Sequence, residues 1–263
     1  MNNTPHKDEF PYWLVLVICI GLYFAYRVVT DDLYVQVFGI VSKGVSITLS
    51  VTFVAFFMAS LLGLLLALAV LSPYVVLRQI ARFYIEVVRG IPMLVLLLYI
   101  AFVGAPQLVV LINWIGEPLG FDPMRTRDLS LLWRAILALM IGYSAFIAEV
   151  FRAGLQSVDV GQIEAAKALG LGPFQRFRHI VFPQALRMIM PPLGNDFVAM
   201  IKDSSLVSVL GVADVTQLGK IYAAGSFRFF ETYNIVALIY LFMTITISLA
   251  LRRFERHLDR KSG

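Results

Sequence analysis

The stretch VSITLSVTFVAFFMASLLGLLLALAVL, residues 45–71, contains no Asp, Glu, Lys or Arg. A helix needs roughly 20 predominantly apolar residues to cross the ~30 Å hydrocarbon layer of a bilayer. Inside that layer, backbone N–H and C=O groups can be satisfied only within the protein, so a crossing segment of this composition is expected to be helical. The stretch is therefore predicted to be a membrane-spanning α-helix.

Further charge-free runs lie on both sides of it, at residues 10–26, 90–116 and 232–251. The chain is 59% hydrophobic and 15% charged, whereas a soluble domain usually carries about a quarter charged residues. We therefore predict an all-α fold, a polytopic membrane bundle of six transmembrane helices. The predicted spans cover about residues 11–29, 44–71, 90–113, 129–152, 188–210 and 232–251.

The N-terminal run is predicted to be a retained helix and not a signal peptide. The segment His6-Lys7-Asp8-Glu9 lacks a purely basic start, and no small-residue cleavage site follows Tyr26. With the N-terminus in the cytoplasm, basic residues are about twice as frequent in the cytoplasmic loops as in the outer loops, which fits the positive-inside rule. Both termini are therefore expected in the cytoplasm. This bias and anionic headgroups explain the net charge of +5, so no nucleic-acid partner is predicted.

The sequence predicts no catalytic site and no metal site. Cys19 is the only cysteine, which excludes an intrachain disulfide and a thiolate metal site. No G-x-x-x-x-G-K-[ST] loop is present to cradle the phosphates of a nucleotide. We therefore expect the chain to bind no cofactor and to perform no enzymatic reaction of its own.

The segment between the fourth and fifth predicted spans, residues 154–187, is long and cytoplasmic in this topology. Asp159 is suited to begin a short helix as its N-cap, Gly170 to end that helix, and Gly172-Pro173 to start a second short helix. Taken alone, this pattern also fits an amphipathic helix that rests on lipid headgroups. The small side chains of the first helix instead favour insertion into a groove of another protein.

The same segment, GQIEAAKALGLGPFQRFRHIVFPQALR (residues 161–187), resembles the EAA signature of permease subunits of binding-protein-dependent ABC importers, in particular the polar amino acid group. Supporting similarities lie at residues 43–49, 89–92, 148–154 and 202–206, so the resemblance covers about residues 43–251. The chain departs from the usual pattern of the group in three ways. It has an additional N-terminal helix, Phe182 precedes Pro183 where Leu is common, and Leu96 stands where many members have Gln.

The resemblance implies a cytoplasmic coupling helix between spans four and five that docks on a dimer of ABC ATPases, and it implies that this partner binds the ATP and Mg²⁺. It assigns ATPase coupling to Glu164, Ala165, Ala166, Lys167, Gly170, Ile180 and Pro183. It also implies a second permease subunit, either a copy or a relative, and an extracytoplasmic solute-binding protein that docks near residues 113–128 and 211–233. The expected location is the inner membrane of a bacterium.

Three regions are expected along the chain. Residues 1–42 form a tail and the additional helix, residues 43–251 form the permease core with the EAA loop at 154–187, and residues 252–263 form a basic cytoplasmic tail.

Ionisable residues inside the predicted spans mark a candidate path for a polar amino acid, because such residues are costly in lipid and usually face a cavity or each other. The substrate-pathway candidates are Tyr143, Ser144, Glu149, Asn195, Asp196, Lys202, Asp203, Ser204 and Ser205. A carboxylate would accept from the ammonium group of the solute, and hydroxyl groups would bond its carboxylate. A structural alternative stays open, in which Glu149 pairs with Arg152, and Lys202 pairs with Asp203 or Asp196.

The predicted function is import of polar amino acids by alternating access, driven by a separate ATPase subunit. The alternatives are an ion-coupled secondary amino acid transporter, a membrane scaffold or sensor, and an ABC permease for another small polar solute. A secondary transporter is disfavoured because no inverted repeat is evident and because it does not need the long cytoplasmic loop.

Overall fold

The computed structural model describes residues 12–260, apart from the side chains of residues 13, 14, 17, 18 and 255–260. The ends of both predicted tails, residues 1–11 and 261–263, lie outside that description. All secondary structure in the described range is helical. In chain order the elements are α1 (Tyr12–Thr30), α2 (Asp32–Val41), a 3₁₀ turn (Ser42–Gly44), α3 (Val45–Val70), α4 (Val75–Gly90), α5 (Met93–Tyr99), a π-helical turn (Ile100–Gly104), α6 (Ala105–Gly116), 3₁₀ turns (Glu117–Leu119 and Thr126–Asp128), α7 (Leu131–Gln156), α8 (Val160–Ala168), α9 (Pro173–Arg176), a second π-helical turn (Phe177–Val181), α10 (Phe182–Asp203), a 3₁₀ helix (Ser204–Leu210), α11 (Val215–Ser226) and α12 (Phe229–Arg260).

Four helical segments are long and apolar enough to cross a membrane, namely Asp32–Val70, Met93–Leu119, Leu131–Gln156 and Phe229–Phe254. They match the second, third, fourth and sixth predicted spans, and the first of them is extended by α2. The first predicted span falls on α1, within which the described apolar helix Cys19–Thr30 is shorter. The fifth falls on α10 and the 3₁₀ helix that follows it. The crossing of the membrane by these two segments stays a prediction.

The helix α7 lies at the centre of the bundle. Its most apolar stretch is 61% buried, against 28% or less in the other three candidate spans. It packs against α3, α4, α5 and α10, and its Ala135, Leu139 and Ile147 belong to the largest buried cluster. The neighbouring helices are therefore positioned by one central helix.

Small residues on α3 allow it to approach α7 closely. Ala55, Ala59 and Gly63 are spaced by four, which places them on one face of the helix, and all three are buried. A Cβ atom added at Gly63 would lie 2.9 Å from Ile147 Cγ2 and 3.0 Å from the Ser144 carbonyl oxygen. Close backbone approach of this kind stabilises helix pairs in lipid, where the hydrophobic effect between helices is absent.

A helix break lies at the start of the third predicted span. Helix α4 ends at Gly90, Ile91 is extended, and Pro92 precedes α5. Helix α4 was not among the predicted elements. Its Tyr84 hydroxyl lies 2.9 Å from Ser144 Oγ and 3.2 Å from the Ile141 carbonyl oxygen, so α4 is attached near the middle of α7.

Residues 211–233, expected as an outer loop, contain the helix α11. Its N-cap is the fully buried Asp214, whose carboxylate accepts from the Gln217 amide at 2.8 Å and from the Tyr240 hydroxyl at 3.0 Å. A Cβ atom at Gly44 would overlap the backbone of Asp214 and Val215. The start of α11 is thus fixed both to α12 and to the turn that precedes α3.

We expect Gly63→Ala to lower the thermal unfolding midpoint of the detergent-solubilised chain. The added methyl group meets a backbone carbonyl that cannot move aside, and overpacking of a tight contact costs about 1–3 kcal/mol. The matched control is Gly39→Ala in α2, where an added Cβ meets nothing within 4 Å and alanine is the better helix former by about 1 kcal/mol. Equal midpoints for the two variants would contradict the close α3–α7 packing.

Candidate functional site

The segment predicted to be cytoplasmic and to hold a coupling helix contains a short helix, α8, with the predicted ends. Asp159 is its N-cap, and the Gly161 amide donates to Asp159 Oδ1 at 2.6 Å. At the other end Gly170 has a φ of +76°, and the Leu171 amide donates to the Ala166 carbonyl at 3.1 Å. This is the hydrogen bond that ends a helix through a left-handed glycine.

The residues of the EAA signature divide into an exposed and a packed group. Glu164, Ala165, Lys167 and Gly170 are exposed, whereas Ala166 is 2% exposed. Ala166 therefore packs α8 against the rest of the protein, and the residues around it form an exposed surface of polar and small side chains. Ile180 and Pro183 are half-buried and lie beyond α8.

The second short helix of the predicted loop is not a separate element, and this part of the prediction is wrong. Helix α9 continues through the π-helical turn into α10. The Phe182 amide donates to the Phe177 carbonyl five residues earlier. The following residue, Pro183, has no N–H and crowds the carbonyl four residues before it, and a π-helical turn is one way in which a helix absorbs a local irregularity.

A side-chain hydrogen bond joins α8 to the start of α10. Gln184 Nε2 donates to Gln162 Oε1 at 2.6 Å and to the Ile180 carbonyl at 3.0 Å. Because α9 and α10 form one helical rod, α8 is attached at both ends to long helices. A displacement of α8 would therefore be passed to α7 and α10.

A cavity of ≈ 240 Å³ lies beside the middle of α7. It is formed where α7, α10 and the break between α4 and α5 meet. Its lining residues are Val88, Ile91, Met93, Leu96, Gly142, Tyr143, Phe146, Asp196, Ala199 and Asp203.

Three of the predicted pathway residues meet in this cavity. The Tyr143 hydroxyl donates to Asp203 Oδ2 at 2.8 Å, and Asp196 lies two turns before Asp203 on the same side of α10. The buried Oδ2 atom of Asp196 has no hydrogen-bond partner among the described residues. A buried carboxylate oxygen without a hydrogen-bond partner is costly, which favours a role in binding a cation.

The remaining pathway candidates lie elsewhere. Ser144 turns to the other side of α7, where it bonds to Tyr84, and the Ser204 hydroxyl donates to the Ile201 carbonyl at 2.7 Å. Asn195 and Lys202 are exposed and are absent from the cavity lining, and the Ser205 carbonyl accepts from Ser208.

The structural alternative holds for one of its two pairs. Arg152 Nε donates to Glu149 Oε2 at 2.9 Å, as that alternative supposed. Lys202 forms no ion pair in the described part of the chain. Glu149 lines a second cavity, of ≈ 390 Å³, together with Val150, Ala153, Gly154, Met188 and Pro192.

The two cavities lie along one groove between α7 and α10. Tyr143, Phe146, Val150 and Ala153 follow each other at helical spacing on α7, and Asp203, Ala199, Asp196, Pro192 and Met188 do so on α10. We call this the α7–α10 groove. It runs from the first cavity, beside the middle of α7, towards α8.

Sequence reasoning missed Val88, Met93 and Phe146, because apolar residues in an apolar run carry no signal of their own. Leu96 was noted as a departure from the resemblance, and it does line the first cavity. No group of three or more potential metal ligands is present among the residues that the structure describes.

Most of the chain matches one protein family. Residues 59–262 match the family model described as "Binding-protein-dependent transport system inner membrane component". The chain belongs to this family. The match includes α7, α8, α10 and both cavities.

Two curated relatives and one solved structure are similar over nearly their whole length. The probable amino-acid permease protein YxeN of Bacillus subtilis (strain 168) is 36% identical over 229 residues, which is 87% of this chain and 96% of YxeN. The glutamine transport system permease protein GlnP of Escherichia coli (strain K12) is 34% identical over 216 residues, 82% of this chain and 91% of GlnP. A chain from the crystal structure of an amino acid ABC transporter with histidines is 38% identical, with a TM-score of 0.70, over 87% of this chain and 97% of that one.

A more distant structure supports the fold alone. A chain of the MetNI methionine ABC transporter, in an inward-facing conformation, has a TM-score of 0.63 at 23% identity, over 83% of this chain and 96% of that chain. The helical arrangement is therefore retained in chains of low identity.

We expect Asp196→Asn to lower uptake by the reconstituted transporter about tenfold, because an amide cannot offer a charged acceptor to a cationic group and a charge-assisted hydrogen bond is worth about 1.5–3 kcal/mol. The control is Asn195→Ala, at an exposed neighbour outside the cavity lining, which should leave uptake unchanged. Uptake at the wild-type rate by Asp196→Asn, with normal membrane levels, would remove Asp196 from the site.

Proposed function

We propose that this protein is the permease subunit of an ATP-binding cassette importer that moves polar amino acids into the cytoplasm. The observation that carries the proposal is that one family member combines two features. The helix α8, which carries the EAA signature, is exposed, and a cavity lined by carboxylates lies between α7 and α10, the two helices to which α8 is joined. The relatives are named as permeases for glutamine or for amino acids, which supports the solute class.

The chain crosses the membrane six times in this proposal, through α1, the α2–α3 segment, the α4–α6 segment, α7, α10 with its 3₁₀ helix, and α12. Both termini are cytoplasmic, and the protein lies in the inner membrane of a bacterium. Support comes from the four apolar segments and from the basic residues around α8, among them Lys167, Arg176, Arg178 and Arg187, which favour the cytoplasmic side.

The helix α8 is the docking element for a dimer of ABC ATPases. Glu164, Ala165 and Lys167 form the free surface that enters a groove of the partner, and Gly170 supplies the left-handed turn behind it. ATP and Mg²⁺ bind to the ATPase and not to this chain. Closure of the ATPase pair moves α8, and the attached α7 and α10 move as rigid bodies between inward-open and outward-open arrangements.

The solute passes along the α7–α10 groove. The carboxylates of Asp196 and Asp203 accept from its ammonium group, and Tyr143 fixes the orientation of the Asp203 carboxylate. The Glu149–Arg152 pair lies further along the groove, at the cytoplasmic end of α7. Closed and open states of the groove alternate as the two helices rock.

A second permease subunit and an extracytoplasmic solute-binding protein complete the importer. The first cavity is formed on one side by Phe146, which is 41% exposed, so a second subunit is expected to close it. The binding protein is expected on the outer segments near residues 113–128 and 211–233. In this proposal the permease core spans residues 43–251. The additional N-terminal helix α1 packs against α12 of the core and against α2, and α2 in turn packs against α11 and α12.

Reconstitution with the partner ATPase and the binding protein tests this function. In sealed vesicles with ATP on the α8 side, we expect transport of radiolabelled L-glutamine, L-arginine or L-histidine towards that side. Vanadate should stop it, because it traps ABC ATPases, and ionophores that dissipate ion gradients should not.

The opposite pattern would contradict the proposal. Transport that resists vanadate and stops with ionophores would instead identify an ion-coupled carrier. Vesicles without the ATPase serve as the control for leakage.

A further inference from the structure

The first cavity offers acceptors but no free donor. Its polar side chains are Asp196, Asp203 and Tyr143, and the Tyr143 proton is already donated to Asp203. A free amino acid carries an α-carboxylate beside its ammonium group. The two aspartates suit the ammonium, and they repel the carboxylate unless a cation lies close by.

Arg89 places a cation beside this lining. It lies on the last turn of α4, between the lining residue Val88 and the helix break whose Ile91 also lines the cavity. Its guanidinium carbon is 5.5 Å from the ring centroid of Phe146, which is itself a lining residue. The Arg89 side chain is exposed and is not itself part of the lining, but its contact with the Phe146 ring places it at the rim of the cavity.

The guanidinium of Arg89 has no carboxylate partner in the described range. Glu86, three residues earlier on α4, is exposed and forms no ion pair with it. A cation at a helix C-terminus is favourable by itself, which explains the presence of a basic residue here. It does not explain why the guanidinium lies over a ring of the cavity wall and forms no ion pair with any described residue.

We propose that Arg89 binds the α-carboxylate of the transported amino acid while Asp196 and Asp203 hold its ammonium group. This inference rests on the proposed function and names a solute contact outside α7 and α10. The planar guanidinium can bind a carboxylate through two parallel hydrogen bonds, and the ring of Phe146 holds it by a cation–π contact. The bound amino acid then bridges the α4–α5 break and α10.

The consequence is that solutes are selected by their free carboxylate. An amino acid methyl ester keeps the ammonium group and the side chain but loses the charged acceptor, so it cannot satisfy Arg89. An Arg89→Gln variant should bind the ester as well as the wild type does and should bind the free amino acid less tightly.

Equilibrium binding to the purified permease–ATPase complex in nanodiscs, without the solute-binding protein, measures this directly. The probes are radiolabelled L-glutamine, L-arginine and L-histidine, each competed by its own methyl ester. For the probe that binds, we expect Arg89→Gln to weaken binding of the free amino acid on the order of 10- to 100-fold, the range for a lost hydrogen bond to a charged group. The affinity for the methyl ester should stay within about twofold of the wild-type value. Arg89→Lys should recover part of the lost affinity, because lysine keeps the positive charge but cannot form the two parallel hydrogen bonds of a planar guanidinium.

The matched control is Arg82→Gln, two turns earlier on the same helix. Arg82 is exposed like Arg89 but forms no cation–π contact with a lining residue in the described part of the chain, so its substitution should not change either affinity. The inference would be overturned if Arg89→Gln lowered the affinities for the free amino acid and the ester equally. It would also be overturned if Arg82→Gln lowered the affinity for the free amino acid as much as Arg89→Gln does. Unchanged binding by Arg89→Gln in a complex that still performs vanadate-sensitive uptake would overturn this inference alone. Absence of such uptake in the wild type would overturn the proposed function with it.

Discussion

The close contact of α7 with α10 at Gly154 is the constraint on which the rest of the structure depends. A Cβ atom at Gly154 would overlap Ile189 Cγ1 and would lie 3.2 Å from the Ala185 carbonyl oxygen. Only glycine permits the two helices to approach this closely at the end next to α8. From this contact to the Tyr143–Asp203 hydrogen bond, the facing sides of the two helices line both cavities of the groove.

The same contact underlies the coupling role that we propose for α8. Helix α8 leaves α7 just after Gly154, and its Gln162 is bonded to Gln184 at the start of α10. A force on α8 thus acts on the end of a helix pair whose middle holds the proposed solute site. Helix α7 also packs closely against α3 at Gly63 and against α4 through Tyr84. In the proposed motion, α7 and α10 therefore move against these packed neighbours. In the proposed function, a nucleotide cycle in a partner ATPase acts on the cavity through this connection.

The sequence predicted what depends on local chemistry. Charge-free runs predicted three of the four apolar segments, and the fourth, Leu131–Gln156, was predicted although Arg134 and Glu149 lie within it. Asp159, Gly170 and Pro173 predicted the ends of α8 and the start of α9. Helix α4 was missed because its arginines interrupt every apolar run, although its buried face keeps a helical period. The carboxylates of the cavity could be found because a charge in a span is conspicuous. Phe146 could not be found, because the sequence does not show which apolar side chains will line a cavity formed by helices that are distant in the chain.

Arginine substitution at two glycines of matched geometry tests the central claim most directly. Gly170 and Gly120 both have a positive φ and open space where a side chain would begin, so each Gly→Arg change carries the same backbone cost of about 1–2 kcal/mol, but only Gly170 adjoins α8. In the reconstituted importer, assayed with saturating solute-binding protein because Gly120 lies in a segment proposed to contact that protein, the account predicts that Gly170→Arg reaches the membrane and hydrolyses ATP while solute uptake per ATP falls. Under the same conditions Gly120→Arg should keep the wild-type ratio. Wild-type uptake per ATP in Gly170→Arg would contradict the account.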